Sequence, residues 1–155
     1  MPVVRDPMTV TGNRGTAYPP RYAKDLEGRV KRPLTDLLGL TQFGVNVTTL
    51  EPGAMSSQRH WHMTEDEFIY VLEGEIALVT DEGEQVLTSG MAAGFPKADG
   101  NGHHLINRSS SVATYLEIGT RMPEDDIAYP DVDMVGERRN GSPTRFMDKS
   151  RKPYD

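Results

Sequence analysis

Apolar residues alternate with polar or small ones through residues 41–50, where Phe43, Val45 and Val47 fall on one face of an extended chain. That period of two predicts a half-buried β-strand. A second stretch, Phe68-Ile69-Tyr70-Val71-Leu72, is apolar without interruption. Its length and its aromatic and β-branched content predict a strand covered on both faces. Further strands are predicted over 75–80, 85–88, 104–107 and 112–118. Turn-forming clusters divide them: Glu51-Pro52-Gly53, Glu73-Gly74, Asp81-Glu82-Gly83 and Ser89-Gly90. Short strands with turns this frequent predict an all-β antiparallel sandwich or barrel.

The pattern fades toward both ends. Tyr18-Pro19-Pro20 and Arg32-Pro33 interrupt the first part, where residues 35–40 predict about one helical turn. Tyr129-Pro130, Ser142-Pro143 and Lys152-Pro153 punctuate the last part and predict little long regular structure. The expected organisation is an N-terminal arm (1–40), a barrel domain (41–120) and a C-terminal tail (121–155). Tyr18, Tyr22, Leu34, Leu37 and Leu38 suit the arm to covering a sheet edge or reaching a second subunit. A homodimer is the expected assembly.

Composition narrows the function. The chain has 155 residues and a net charge of -6, a length that suits one domain with a real core. Charge is uneven: +3 over the arm, -8 over the barrel segment and -1 over the tail, with all four histidines in the barrel segment. An acidic balance argues against a nucleic-acid partner. The absence of cysteine excludes disulfides, thiolate metal ligands and a cysteine nucleophile. No apolar run approaches the ~20 residues of a membrane span, and the first residues lack the layout of a secretory signal. A soluble, cytoplasmic protein is the expectation.

Candidate chemistry gathers in two stretches. In the first, Gly53 to Gly74, His60 and His62 stand two apart, so on a strand both imidazoles share a face. Glu67 opens the apolar strand with the same inward parity as Ile69 and Val71. A carboxylate turned into a barrel is costly unless it meets a cation. The second stretch, Gly90 to Asn107, adds His103 or His104 after a glycine-rich loop. Three imidazoles and one carboxylate suit Fe(II), Mn(II), Ni(II), Co(II), Cu(II) or Zn(II) better than Mg or Ca.

These stretches resemble the two signature motifs of the cupin superfamily, whose small barrel is a double-stranded β-helix, or jelly roll. Gly53, His60, His62, Glu67 and Gly74 match the first motif, and Gly90, Pro96, His103 and Asn107 match the second. The match covers roughly residues 41–119. One extra residue separates Gly53 from His60, and two extra lengthen the Pro96–His103 loop. The resemblance implies one divalent transition metal (Fe, Mn, Zn, Ni or Co) held by His60, His62, Glu67 and His103, with Glu67 as ligand or mobile base. Strand parity also favours His103 over His104, which is expected to point away and pack near the arm.

Within the superfamily the chain is similar to small single-domain members described as sugar-phosphate isomerase-like. The expected activities on a small-molecule substrate are isomerisation or lyase chemistry through an enediolate, or dioxygenation with iron. A non-catalytic binding module is the alternative from another class. Gln58 shares parity with His60 and is expected to touch substrate. Lys97 is the candidate cation at the barrel mouth, since Arg59 and Arg108 have outward parity. Asn107 is expected to hold loop backbone, Trp61 to pack outward, and Glu65, Asp66, Asp81 and Glu82 to be solvated turn residues.

Overall fold

The computed structural model describes residues 3–154. In chain order the strands are β1 (Arg29–Pro33), β2 (Phe43–Leu50), β3 (Trp61–His62), β4 (Glu67–Glu73), β5 (Glu75–Thr80), β6 (Gly83–Thr88), β7 (Ala92–Phe95), β8 (His104–Ile106), β9 (Ala113–Thr120), β10 (Asp125–Tyr129), β11 (Met134–Arg138) and β12 (Arg145–Met147). One layer is a five-stranded antiparallel sheet in the order β1-β2-β9-β4-β7. The other combines β6-β5-β8 with β12-β11-β10-β3. Isolated bridges Met55↔Ile106 and His60↔His103 join these two pieces. The architecture is the all-β jelly roll expected from the sequence.

Two departures from the sequence pattern are instructive. β4 is not covered on both faces: Ile69 and Val71 are buried, whereas Phe68, Tyr70 and Leu72 are exposed. Alternation is present in the burial but hidden in the sequence, because both faces of β4 carry apolar side chains. The strand covered on both sides is β5, whose consecutive Ile76, Ala77 and Leu78 are all buried. The second departure concerns the ends. Residues 29–33 add β1 to the edge of the large sheet, with Pro33 at its terminus, where a missing backbone donor does least harm. The tail supplies β10, β11 and β12, short enough to fit between its prolines. Residues 36–38 form a single 3₁₀ turn closed by Gly39 in the left-handed region (φ 70°).

The main core contains Leu50, Ile69, Val71, Ile76, Leu78, Leu87, Leu105 and Tyr115, between the two layers. A second cluster joins arm to tail, with Tyr18 and Tyr22 packed against Ile127, Tyr129, Met134 and Phe146. Tyr18 meets Tyr129 and Phe146 edge to face, the arrangement aromatic quadrupoles favour. Arg59 ties the loop before β3 to the tail and to the β5–β6 turn: its Nε donates to Asp131 Oδ2 at 2.7 Å, and it also pairs with Asp81. Asp81 is thus an ion-pair partner as well as a turn residue.

Asn107 is fully buried and braces the loop beside the histidines. Its Nδ2 donates to the carbonyls of Leu50 (2.9 Å) and Ser111 (2.7 Å), and its Oδ1 accepts from the backbone and hydroxyl of Ser109. Asn107→Leu strands those carbonyls in a site closed to water. The expected loss is about 2 kcal/mol of stability, read as a lower urea midpoint; an unchanged midpoint would remove Asn107 from the list of structural anchors.

Candidate metal centre

β3 is two residues long and pairs only through its tail partner, Ile127↔His62 and Ala128↔Trp61. Just before β3, the His60↔His103 bridge brings the two sequence motifs together, with reciprocal backbone hydrogen bonds of 3.1 and 2.9 Å. β4 presents Glu67 from the opposite layer. Its Oε2 lies 3.0 Å from His103 Nε2, 3.5 Å from His62 Nε2 and 3.6 Å from His60 Nε2. His60, His62 and Glu67 thus converge as a donor cluster, and His103 approaches the same carboxylate oxygen.

Several features fit this set to a cation. Although the Glu67 side chain is 29% exposed as a whole, Oε2 itself is buried and accepts no well-oriented hydrogen bond. Burial alone would raise the Glu67 carboxyl; the imidazoles of His103, His60 and His62 outweigh it and hold it well below the usual carboxylate range. Donors about 2.1 Å from a shared ion stand about 3.0–3.4 Å apart in octahedral or tetrahedral geometry, close to the separations seen. The Nδ1 partners agree. His60 Nδ1 is 2.9 Å from the Gln58 carbonyl, which can only accept, so a neutral imidazole there carries its proton on Nδ1 and presents the Nε2 lone pair.

His62 Nδ1 is 2.6 Å from Asp125 Oδ2, the carboxylate–histidine arrangement that orients a metal ligand. Asp125 is itself fixed by the backbone and hydroxyl of Thr64 at 3.0 and 2.8 Å. Burial would lower the His62 pKa, but Asp125, Glu67 and Glu65 raise it. His103 lies face to face on Phe95, with ring centroids 3.6 Å apart, and burial lowers its pKa. Tyr129 stacks on His60 at 5.6 Å.

The surrounding cavity differs from the sequence expectation. Gln58 is buried but donates to Asp25 Oδ2 at 2.8 Å and is absent from the cavity wall. The chain before β3 is a loop, so strand parity does not carry from His60 back to Gln58. Lys97 is exposed and also absent from the wall; its backbone N–H donates to Asp66 Oδ1 at 2.8 Å. Five cations do line the cavity, Arg5, Arg29, Lys31, Arg121 and Arg138, of which Arg29 and Lys31 come from β1, in the segment read as an arm. Lys31 Nζ lies 2.5 Å from Glu117 Oε1, which also accepts from Asn46 at 2.8 Å.

Other residues are placed as follows. His104 holds the Ser57 carbonyl at 3.0 Å. Glu65 is buried rather than solvated, accepting from Met122 N–H at 2.9 Å and pairing with Arg138. Sequence reasoning missed Asp125, Tyr129, Arg29 and Glu117, none of which stands within either motif. The inward parity of Glu117 beside Tyr115 was the only available signal.

These are the hallmarks of a known barrel, and the comparisons with known proteins decide the family. Residues 46–119 match the Cupin domain family model. A crystal structure described as a sugar phosphate isomerase from a cupin superfamily, from Silicibacter pomeroyi, is 41% identical, with a TM-score of 0.91 over 97% of this chain and 95% of that one. The chain is a cupin. A putative sugar phosphate isomerase from Acidithiobacillus ferrooxidans is 29% identical, with a TM-score of 0.72 over 82% of this cupin and 80% of that chain. A polyketide cyclase from Streptomyces resistomycificus, 21% identical and with a TM-score of 0.65 over 77% of this chain and 80% of its own, shares the fold alone. No curated protein matches this cupin in sequence. No helix among the described residues is long and apolar enough to cross a membrane.

Asp125 would act on an ion bound here through its contact with His62. Asp125→Asn is expected to weaken divalent-metal affinity by about 10–100-fold, measured by chelator competition. Affinity equal to wild type would show that the His62–Asp125 contact serves packing only.

Proposed function

We propose that this cupin is a metal-dependent isomerase of small hydroxy-carbonyl compounds, with His60, His62, Glu67 and His103 as ligands of one divalent transition metal. The observation that carries the reading is the buried Glu67 Oε2, set among three Nε2 atoms and without an oriented hydrogen bond, on the wall of a cavity with both polar and apolar lining. A divalent ion held there supplies Lewis-acid polarisation of a substrate carbonyl and hydroxyl.

The protein's own part is placement and proton transfer. Glu117 offers a second carboxylate in the same cavity, reached from β9 two residues along the strand from Gly119, the cross-strand partner of Glu67. Asn46 and Lys31 both hold its Oε1, which leaves Oε2 to take a proton from one substrate carbon and return it to the next. Phe95 and Tyr129, stacked on His103 and His60, restrict ring motion and so keep the ligand set preorganised. The similarity to a protein described as a sugar phosphate isomerase supports this reading over dioxygenation and over a binding module without catalysis.

The test is protein loaded in turn with Mn, Zn, Ni, Co or Fe and offered small aldoses and ketoses, neutral and phosphorylated, in deuterated water. NMR should show aldose–ketose interconversion with deuterium entering at the carbon beside the carbonyl. Glu117→Gln should retain metal and lose at least ~100-fold of the rate, while a His60→Ala, His62→Ala double variant should lose the metal. Oxygen uptake by the iron form without any interconversion would favour dioxygenation instead.

We also propose a symmetric homodimer. Phe68 and Tyr70 lie opposite Ile118 and Leu116 on the outer face of the large sheet, beside exposed Leu72. A monomer seldom leaves a continuous apolar face of this kind in water. Light scattering should give twice the chain mass at micromolar concentration, and Phe68→Glu with Tyr70→Glu should halve it. A wild-type monomer would end this proposal.

A further inference from the structure

Beyond the histidines, the cavity reaches Arg29 of β1. Its register partner is the core residue Leu50, so the side chain is directed between the layers, and the residue is only 7% exposed. Nη1 donates to the Ser56 carbonyl at 2.7 Å and Nη2 to the Gly15 carbonyl at 3.0 Å, while buried Nε has no partner. Both carbonyls belong to residues of the cavity wall.

What sets Arg29 apart is charge. The other strongly buried ionic residues have partners: Glu65 has Arg138, and Asp125 has His62. Among the described residues, no carboxylate oxygen comes within 4.0 Å of an Arg29 nitrogen. Two neutral carbonyls fix the guanidinium in place without balancing its charge, and a buried uncompensated charge is strongly unfavourable. Lys31, the neighbouring cation, is already neutralised by Glu117 at 2.5 Å. The buried Tyr115 hydroxyl, from the cavity wall, also lacks an oriented partner. The Arg29 charge reaches Tyr115, where it opposes the upward push of burial on the phenol.

We propose that Arg29 is the recognition site for an anionic group on the substrate, a phosphate monoester or a carboxylate, with the Tyr115 hydroxyl as a supporting donor. The inference rests on the same cavity being the substrate site. The geometry limits the substrate to a small molecule. Ser56 accepts from Arg29, and the next residue, Ser57, places its Oγ 3.3 Å from His60 Nδ1. The anionic end and the end at the histidines are thus linked by adjacent residues. A guanidinium suits either anion because its planar fork matches two oxygens at once.

Calorimetric titration with inorganic phosphate, and separately with malonate, distinguishes the two anions. One of them should bind wild type and the His60→Ala, His62→Ala double variant alike. Affinity should fall about tenfold or more in Arg29→Lys and further in Arg29→Gln. A crystal structure of wild-type protein with the bound anion should place it within hydrogen-bond distance of Arg29, which keeps the question open to test if the variants do not fold. Binding of neither anion, undiminished binding in Arg29→Lys, loss of binding in the histidine variant, or an anion located elsewhere would each overturn the assignment. Anion binding at Arg29 without isomerase turnover would overturn the isomerase reading and leave this one standing.

Discussion

The arrangement of the barrel turns on one buried oxygen. Glu67 Oε2 sits among three imidazole nitrogens carried by two separate pieces of backbone, residues 60–62 and residue 103. The His60↔His103 bridge unites the two smaller sheets, β10 pins β3, and β4 delivers the carboxylate from the large sheet. Removing water from that carboxylate is unfavourable unless positive charge replaces it. The same oxygen therefore connects fold to chemistry: a barrel that closes properly brings four donors together, and an ion among them would in turn tie both layers.

Around that centre the protein fixes its histidines through contacts that are themselves fixed. Asp125 orients His62 and is held by Thr64. The Gln58 carbonyl orients His60. Phe95 and Tyr129 cover ring faces. Such nested support preorganises a site before a ligand arrives, so that little ordering remains to oppose binding. The cavity is correspondingly polar near the ends of β1, β2 and β9 and apolar beside Ile69, which suits a small molecule bearing several oxygens.

Segments of the arm and tail pair with strands of the barrel. β1 extends the large sheet and carries Arg29 and Lys31 inward; β10 extends the small one and carries Asp125 and Tyr129. Tyr18 closes the circuit by packing on Tyr129. Each of these residues lies far from both motifs in sequence, and its position depends on strand pairing across tens of residues. Proline punctuation concealed the strands, because strands of three to five residues can start or stop beside a proline without losing ladder bonds.

Local patterns were enough to read an all-β antiparallel fold, and resemblance to two motifs nominated the ligands. Alternation at Phe43, Val45 and Val47 and the frequent turn clusters are encoded within short windows, where side-chain direction follows from strand period. The set His60, His62, Glu67 and His103 was implied by the match to the cupin motifs. The roles of Gln58 and Lys97 were beyond that reach, since both sit in loops where parity has no meaning. The exposed outer face of β4 was also hidden, for its apolar residues look identical whether covered or not. Only the tertiary structure decided which cation enters the cavity, which carboxylate orients His62 and which hydrophobic face is left in water. Those outcomes are set by long-range pairing, and no local pattern carries that information.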